Sequence, residues 1–132
     1  MTERYRVNWK DVAVERNLRE DEGWVNMRVQ FAVGEKNGSD ALTLGRTVLP
    51  PGARHEPHSH PNCDEFLFVV RGHGMIYTDE GEEPAGADDV IFTRAGRVHG
   101  FNNTSNEEVL LLWGWSGAGS LAAAGYELHD HR

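Results

Sequence analysis

The sequence predicts an all-β fold, a small barrel or sandwich, and three observations carry that expectation. From residue 25 onward apolar residues alternate with polar ones, the period-two mark of a half-buried strand. Turn-forming clusters interrupt the chain about every 8–12 residues, as they do in sandwiches and barrels. No segment carries a convincing long helical periodicity.

Taken in order, residues 9–22 (WKDVAVERNLREDE) read as a short helical or irregular stretch. Residues 1–23 are therefore expected to form an N-terminal arm, 24–116 the β-barrel and 117–132 a C-terminal tail, within one domain spanning 1–132. The first strand is expected where Val25, Met27, Val29, Phe31 and Val33 alternate with Asn26, Arg28, Gln30 and Ala32. Its apolar face belongs in the core, and its polar face either lines a cavity or meets solvent. The turn GEKNGSD follows, with the hairpin pair Asn37-Gly38. A second strand runs from about Ala41 to Leu49 and stops at Pro50-Pro51-Gly52. The unbroken apolar run from Glu65 to Val70 predicts a strand buried on both faces. Met75–Thr78, Asp89–Thr93, Arg97–Phe101 and Glu107–Trp115 read as further strands, separated by the turns DEGEEPAGA, RAG and NNTSN. The tail, GAGSLAAAGYELHDHR, has room for one short helical turn.

Composition narrows the function. Thirteen basic against 21 acidic side chains leave a net charge of −8, which argues against a nucleic-acid or membrane-surface partner. No run of 18 apolar residues exists, and the N-terminus is charged where a signal peptide needs an apolar stretch. A single cysteine, Cys63, rules out an internal disulfide framework. The expectation is a soluble, cytoplasmic protein.

The chemistry sits in the histidines. His58 and His60 are one residue apart, so on an extended chain both point to the same side. The short turn Pro61–Asp64 can bring Glu65 back beside them, and His99 lies on a separate predicted strand. Three neutral imidazoles and a carboxylate suit a borderline divalent ion and fit Ca²⁺ or Mg²⁺ poorly. His55 reads as a solvated strand residue, with the cavity rim as its alternative; His73, His129 and His131 read as solvated positions, the last two in a polar tail.

Gly52, His58, His60, Glu65 and Gly72, with five, one, four and six residues between them, resemble the complete first motif of the cupin superfamily. A second motif of that family is partly present in ADDVIFTRAGRVHGFNN, where Asp89, Gly96, His99 and Asn103 keep the spacing. Asp88 and Arg94 stand where the family usually has Gly and Pro, and Val98 where another Pro is common. The resemblance spans residues 25–115 and implies a jelly-roll barrel. It also implies His58, His60, Glu65 and His99 as ligands of one divalent transition metal ion (Fe, Mn, Zn, Ni or Cu), and a homodimer. Parity with His99 directs Phe101 and Asn103 toward the same cavity, and Arg28, Gln30 and Arg46 are its polar candidates, with a plain solvent face as their alternative. Trp113 and Trp115 share parity with Val109 and Leu111 and are expected in a core or dimer contact, with stacking on a substrate as the alternative.

Such a site favours a small anionic substrate that chelates through two oxygens. The first expectation is a dioxygenase-type oxidoreductase. Its alternatives are an isomerase, cyclase or decarboxylase using Lewis-acid chemistry, and a non-catalytic module that binds a small metabolite.

Overall fold

Antiparallel pairing absorbs nearly all of the alternating segments. A computed structural model describes residues 6–129; residues 1–5 of the arm and 130–132 of the tail, including His131, lie outside the described residues. The strands are β1 (Trp24–Val25), β2 (Arg28–Val33), β3 (Leu42–Leu49), β4 (Arg54–Ser59), β5 (Asp64–Arg71) and β6 (His73–Thr78). They continue with β7 (Gly81–Gly86), β8 (Val90–Thr93), β9 (His99–Asn102), β10 (Val109–Ser116) and β11 (Glu127–Leu128), and one helical turn, α1 (Leu121–Ala124), precedes β11. One sheet has the order β2-β3-β10-β5-β8, and the other β1-β4-β9-β6-β7 with β11 joined to β4. Among the described residues no helix is long and apolar enough to cross a membrane.

The two sheets enclose a core that follows from strand parity. On β10, Val109, Leu111, Trp113 and Trp115 all point inward and are buried, while Leu110, Leu112 and Ser116 point away. One buried cluster gathers Leu49, Val69, Phe101 and Val109; a second gathers Trp24, Val29, Trp113 and Trp115, and Met27 and Leu67 touch both. Gly45 of β3 lies opposite Trp113. A Cβ there would come within 2.1 Å of the Trp113 ring, so only glycine lets the indole lie across β3.

Several elements depart from the sequence expectation for identifiable reasons. The first alternating run is split: Asn26 takes a left-handed φ of 55°, and the chain passes from β1 in one sheet to β2 in the other. The acidic stretch expected as a turn contains an edge strand, β7, which among the described residues pairs with β6 alone, and an edge position is where a sheet tolerates a proline such as Pro84. Asp88 adopts a φ of 76°, the conformation of the glycine it stands for in the family motif. The arm is not loose. The Gln30 amide donates to the carbonyls of Trp9 (3.0 Å) and Val12 (2.7 Å), and Glu15 N–H donates to Val29 O at 2.7 Å. Arg46 then donates to Gln30 Oε1 (3.1 Å) and lies 4.8 Å over the Trp9 ring.

Gly45→Ala is expected to destabilise the protein by about 1–3 kcal/mol through overpacking against Trp113. Gly86→Ala, whose new Cβ would meet nothing closer than 3.4 Å, serves as the milder control in urea unfolding. Equal midpoints for the two variants would contradict the packing described for Trp113.

Candidate metal centre

Period two on β4 and its continuation turns His58 and His60 inward, while Ser59 between them points to the tail and bonds His129 Nε2 at 2.8 Å. β9 pairs with β4 so that His99 lies directly opposite His58. One nitrogen from each of the three imidazoles lies within 4.8 Å of the others, a group able to hold a metal ion. Glu65, at the start of β5, stands at the edge of this group: its Oε2 is 3.1 Å from His99 Nε2 and its Oε1 is 3.6 Å from His60 Nε2. All four side chains are at most 8% exposed.

Hydrogen bonding decides which nitrogen each ring presents. The Nδ1 atoms of His58, His60 and His99 lie 2.8, 2.8 and 3.3 Å from the carbonyls of Glu56, Gly125 and Arg97. A carbonyl only accepts, so each Nδ1 carries the proton and each Nε2 keeps a bare lone pair. His99 Nε2 is buried and makes no well-directed hydrogen bond although a carboxylate oxygen is 3.1 Å away. Two buried acceptors facing one another need a cation or a proton between them. The donor set and this orphaned atom therefore both fit a divalent transition metal.

Electrostatics agree. Burial, followed by the neighbouring histidines, holds His58 well below the usual imidazole range, and burial lowers His60 as well. For His99 burial pulls downward, but the charge and hydrogen-bonding reach of Glu65 outweigh it and leave it raised. Burial pulls Glu65 upward, yet His99, His60 and the Trp115 indole together keep it below the usual carboxylate range. Trp115 Nε1 donates to Glu65 Oε1 at 2.9 Å. Cys63 is buried outside the histidine group, and burial, then Glu65 and Asp64, push its thiol up to about 11.

The histidines and Glu65 border a cavity of about 40 Å³ walled by Trp24, Met27, Leu49, Phe101, Trp113 and Trp115. Phe101 faces it as parity predicts. Asn103 does not line it; its amide donates to Leu49 O and Glu107 O and closes a loop instead. Arg28, Gln30 and Arg46 also lie outside it, because their strand face turns away from the barrel interior; Arg28 is exposed, and Gln30 and Arg46 hold the arm. Among the described residues, the cavity has no lysine or arginine on its wall.

Two contributors escaped the sequence reading. His55, read as solvated, is half-buried and stacks on His58 at 3.6 Å between ring centroids. Three residues apart, the two would face opposite sides of a regular strand; an irregularity in the β4–β9 pairing between them turns both inward. The tail is the second. Gly125 O orients His60, Tyr126 OH lies 3.1 Å from His55 Nε2, and β11 pairs with β4. A carbonyl partner has no residue signature, so nothing in the sequence marked Gly125. His73 is exposed, as expected.

The family model for the cupin domain matches residues 45–115, which contain all four candidate ligands. The chain belongs to the cupin family. This cupin is 30% identical over 96 residues to an oxalate-binding protein of Thermotoga maritima, covering 73% of this chain and 78% of the relative. It is 29% identical over 76 residues to polyketide synthase CurC of Streptomyces cyaneus, covering 58% of this chain; it spans about half (49%) of that relative's length. Among solved structures, the polyketide cyclase RemF of Streptomyces resistomycificus superposes with a TM-score of 0.80 at 21% identity, over 98% of this chain and 87% of the other. The last likeness concerns the fold.

His58→Ala and His99→Ala are each expected to leave a folded barrel with less than stoichiometric metal after loading, read by circular dichroism and elemental analysis. Full metal content in either variant would place the ion elsewhere.

In the metal-free protein, His55, His58 and His60 have folded pKa values below the unfolded value of about 6.5. Their contribution to stability is present above that pH and is lost as pH falls toward the depressed folded values. His99 has the opposite sign: its contribution is present below the unfolded value and lost as pH rises through its raised one. With three groups against one, the melting temperature is expected to fall on acidification through pH 6. Metal affinity is expected to fall over the same range as protons compete for the Nε2 lone pairs. A melting temperature and an affinity flat between about pH 5 and 8 would contradict both.

Proposed function

We propose that this cupin holds one divalent transition metal ion on His58, His60, His99 and Glu65 and acts as an enzyme on a small, enolisable mono-anion that chelates through two oxygens. The observation that carries the reading is the pairing of this ligand set with a cavity wall that, among the described residues, bears no lysine or arginine. A divalent ion beside one carboxylate leaves a single net positive charge. A mono-anion cancels it, whereas a dianion leaves a buried charge with no lysine or arginine to meet it. The aromatic and aliphatic walls favour a ligand with an apolar body, and resemblance to a polyketide synthase protein supports such a substrate. The oxalate-binding relative supports a small chelating anion in general.

When bound, the ion supplies Lewis acidity that favours loss of a proton next to a carbonyl. The chain's own residues keep the site ready for this. The three Nδ1 donations hold the rings in one tautomer, and Trp115 holds Glu65 by its indole N–H. Trp24, Phe101 and Trp113 would shield a bound anion from water. Such a site would suit isomerisation, cyclisation or decarboxylation. A mixed imidazole and carboxylate donor set also suits Fe²⁺, which makes O₂-dependent oxidation of the same chelated anion the second reading.

The homodimer belongs to this proposal as well. Phe66 lies opposite Phe92, and Phe68 opposite Val90, on the outer face of the five-stranded sheet. Phe66, Val70, Val90 and Phe92 are 39–67% exposed there, and a second copy with the same face would cover them. Phe92→Glu is expected to convert a dimer to a monomer in light scattering.

Protein loaded with Zn²⁺ is expected to turn over β-dicarbonyl substrates equally with and without air. Turnover only with Fe²⁺ and only aerobically would replace the Lewis-acid reading with the oxygenase. Saturable binding without turnover by either form would leave a binding module.

A further inference from the structure

Two threonines of β3, Thr43 and Thr47, share the inward parity of Leu49, and both are buried. A threonine hydroxyl gives one proton and accepts on its oxygen. Thr43 donates its proton to Ala118 O at 2.8 Å. Thr47 is used the other way round. Its Oγ1 accepts from Trp113 Nε1 at 2.8 Å, and among the described residues no acceptor takes its own proton. A buried donor rarely goes without an acceptor.

Thr47 lines the same cavity of about 40 Å³ as His58, His60, Glu65 and His99. At 3% exposed it cannot send its proton to bulk solvent, so the cavity is the space left for it. Trp113 sets this direction. Its N–H takes one lone pair of Oγ1, which turns the hydroxyl proton away from the indole. The cavity has room for only a few water molecules, so a ligand that chelates beside the histidines also reaches the Thr47 wall.

We propose that the Thr47 hydroxyl donates a hydrogen bond to an uncharged oxygen of the ligand held at the metal centre, with Trp113 as the positioning residue that aims it. The inference rests on the metal-centre reading above and names the substrate class more closely. The ligand is a mono-anion with two chelating oxygens and a third, uncharged oxygen on its otherwise apolar body. Such an oxygen meets the donor without adding a second charge to a wall that, among the described residues, has no lysine or arginine.

A pair of isosteric 2-oxo acids isolates the bond: 3-hydroxypyruvate and 2-oxobutyrate, which differ by hydroxyl against methyl at the end away from the carboxylate. Both are titrated into the full-length Zn²⁺-loaded protein and into its Thr47→Val and Thr47→Ser variants. Thr47→Val also leaves the Trp113 N–H without its acceptor, but that loss is common to both probes and cancels in the ratio of their affinities. The preference for 3-hydroxypyruvate is expected to fall about fivefold or more in Thr47→Val and to stay within about twofold in Thr47→Ser. An unchanged ratio in Thr47→Val would overturn the proposal. A second measurement needs neither metal nor substitution. A crystal structure of the metal-free protein is expected to show an ordered water about 2.8 Å from Thr47 Oγ1 inside the cavity. A Thr47 hydroxyl turned to a backbone carbonyl, with no water beside it, would refute the donor. If neither probe binds the Zn²⁺-loaded protein, the metal-centre reading fails, and the crystal structure alone decides the role of Thr47.

Discussion

Each of His58, His60 and His99 donates its Nδ1 proton to a backbone carbonyl, and the rest of the site depends on those three bonds. They fix the tautomer and aim the Nε2 lone pairs inward, while burial lowers the pKa of His58 and His60. Two of the carbonyls lie two residues before the histidine they orient, so β4 and the turn into β9 carry them locally. The third comes from Gly125, 65 residues beyond His60, and reaches it because α1 and β11 fold the tail back over β4. The tail is thus part of the site's geometry, although it supplies none of the proposed ligands.

Aromatic packing sets the other boundary. Trp113 and Trp115 come from one strand with one parity, and glycines make space for what packs across them. Gly45 admits the Trp113 ring, while Gly114, on the opposite face, admits Phe66. Because each indole N–H is already bonded inside the barrel, the two rings act as fixed walls. The adjoining Phe31 is free of such a bond. A small chamber walled by aromatic rings, with His99 Nε2 lacking a hydrogen-bond partner beside Glu65, is what the core leaves next to the histidines. With no lysine or arginine on its wall among the described residues, charge balance is what the proposed function uses to discriminate among chelating anions.

Polar residues that seemed available to a ligand are used to hold the chain's own ends. Gln30 donates twice to the arm, Arg46 lies over Trp9, and Asn103 secures the loop before β10. The Gln30 and Asn103 amides thus donate to backbone carbonyls of the segments they hold. Val14 also bridges Gln30 on the open edge of the five-stranded sheet, so the arm shields part of an edge that would otherwise offer unpaired backbone.

The sequence by itself determined the all-β class, most strand positions and the inward set of β10, because period two is a local property that burial on one face enforces. It also singled out His58, His60, Glu65 and His99, since their spacing matches a family motif and two of them share a strand face by parity alone. What it could not decide depends on contacts between distant segments. The pairing irregularity that turns His55 inward beside His58 belongs to two strands at once, and neither records it alone. Arg28, Gln30 and Arg46 share a face by parity, yet only the packing of the arm reveals that this face looks outward. The bond from His60 to Gly125 uses a backbone oxygen, which every residue carries, so only the folded tail distinguishes it.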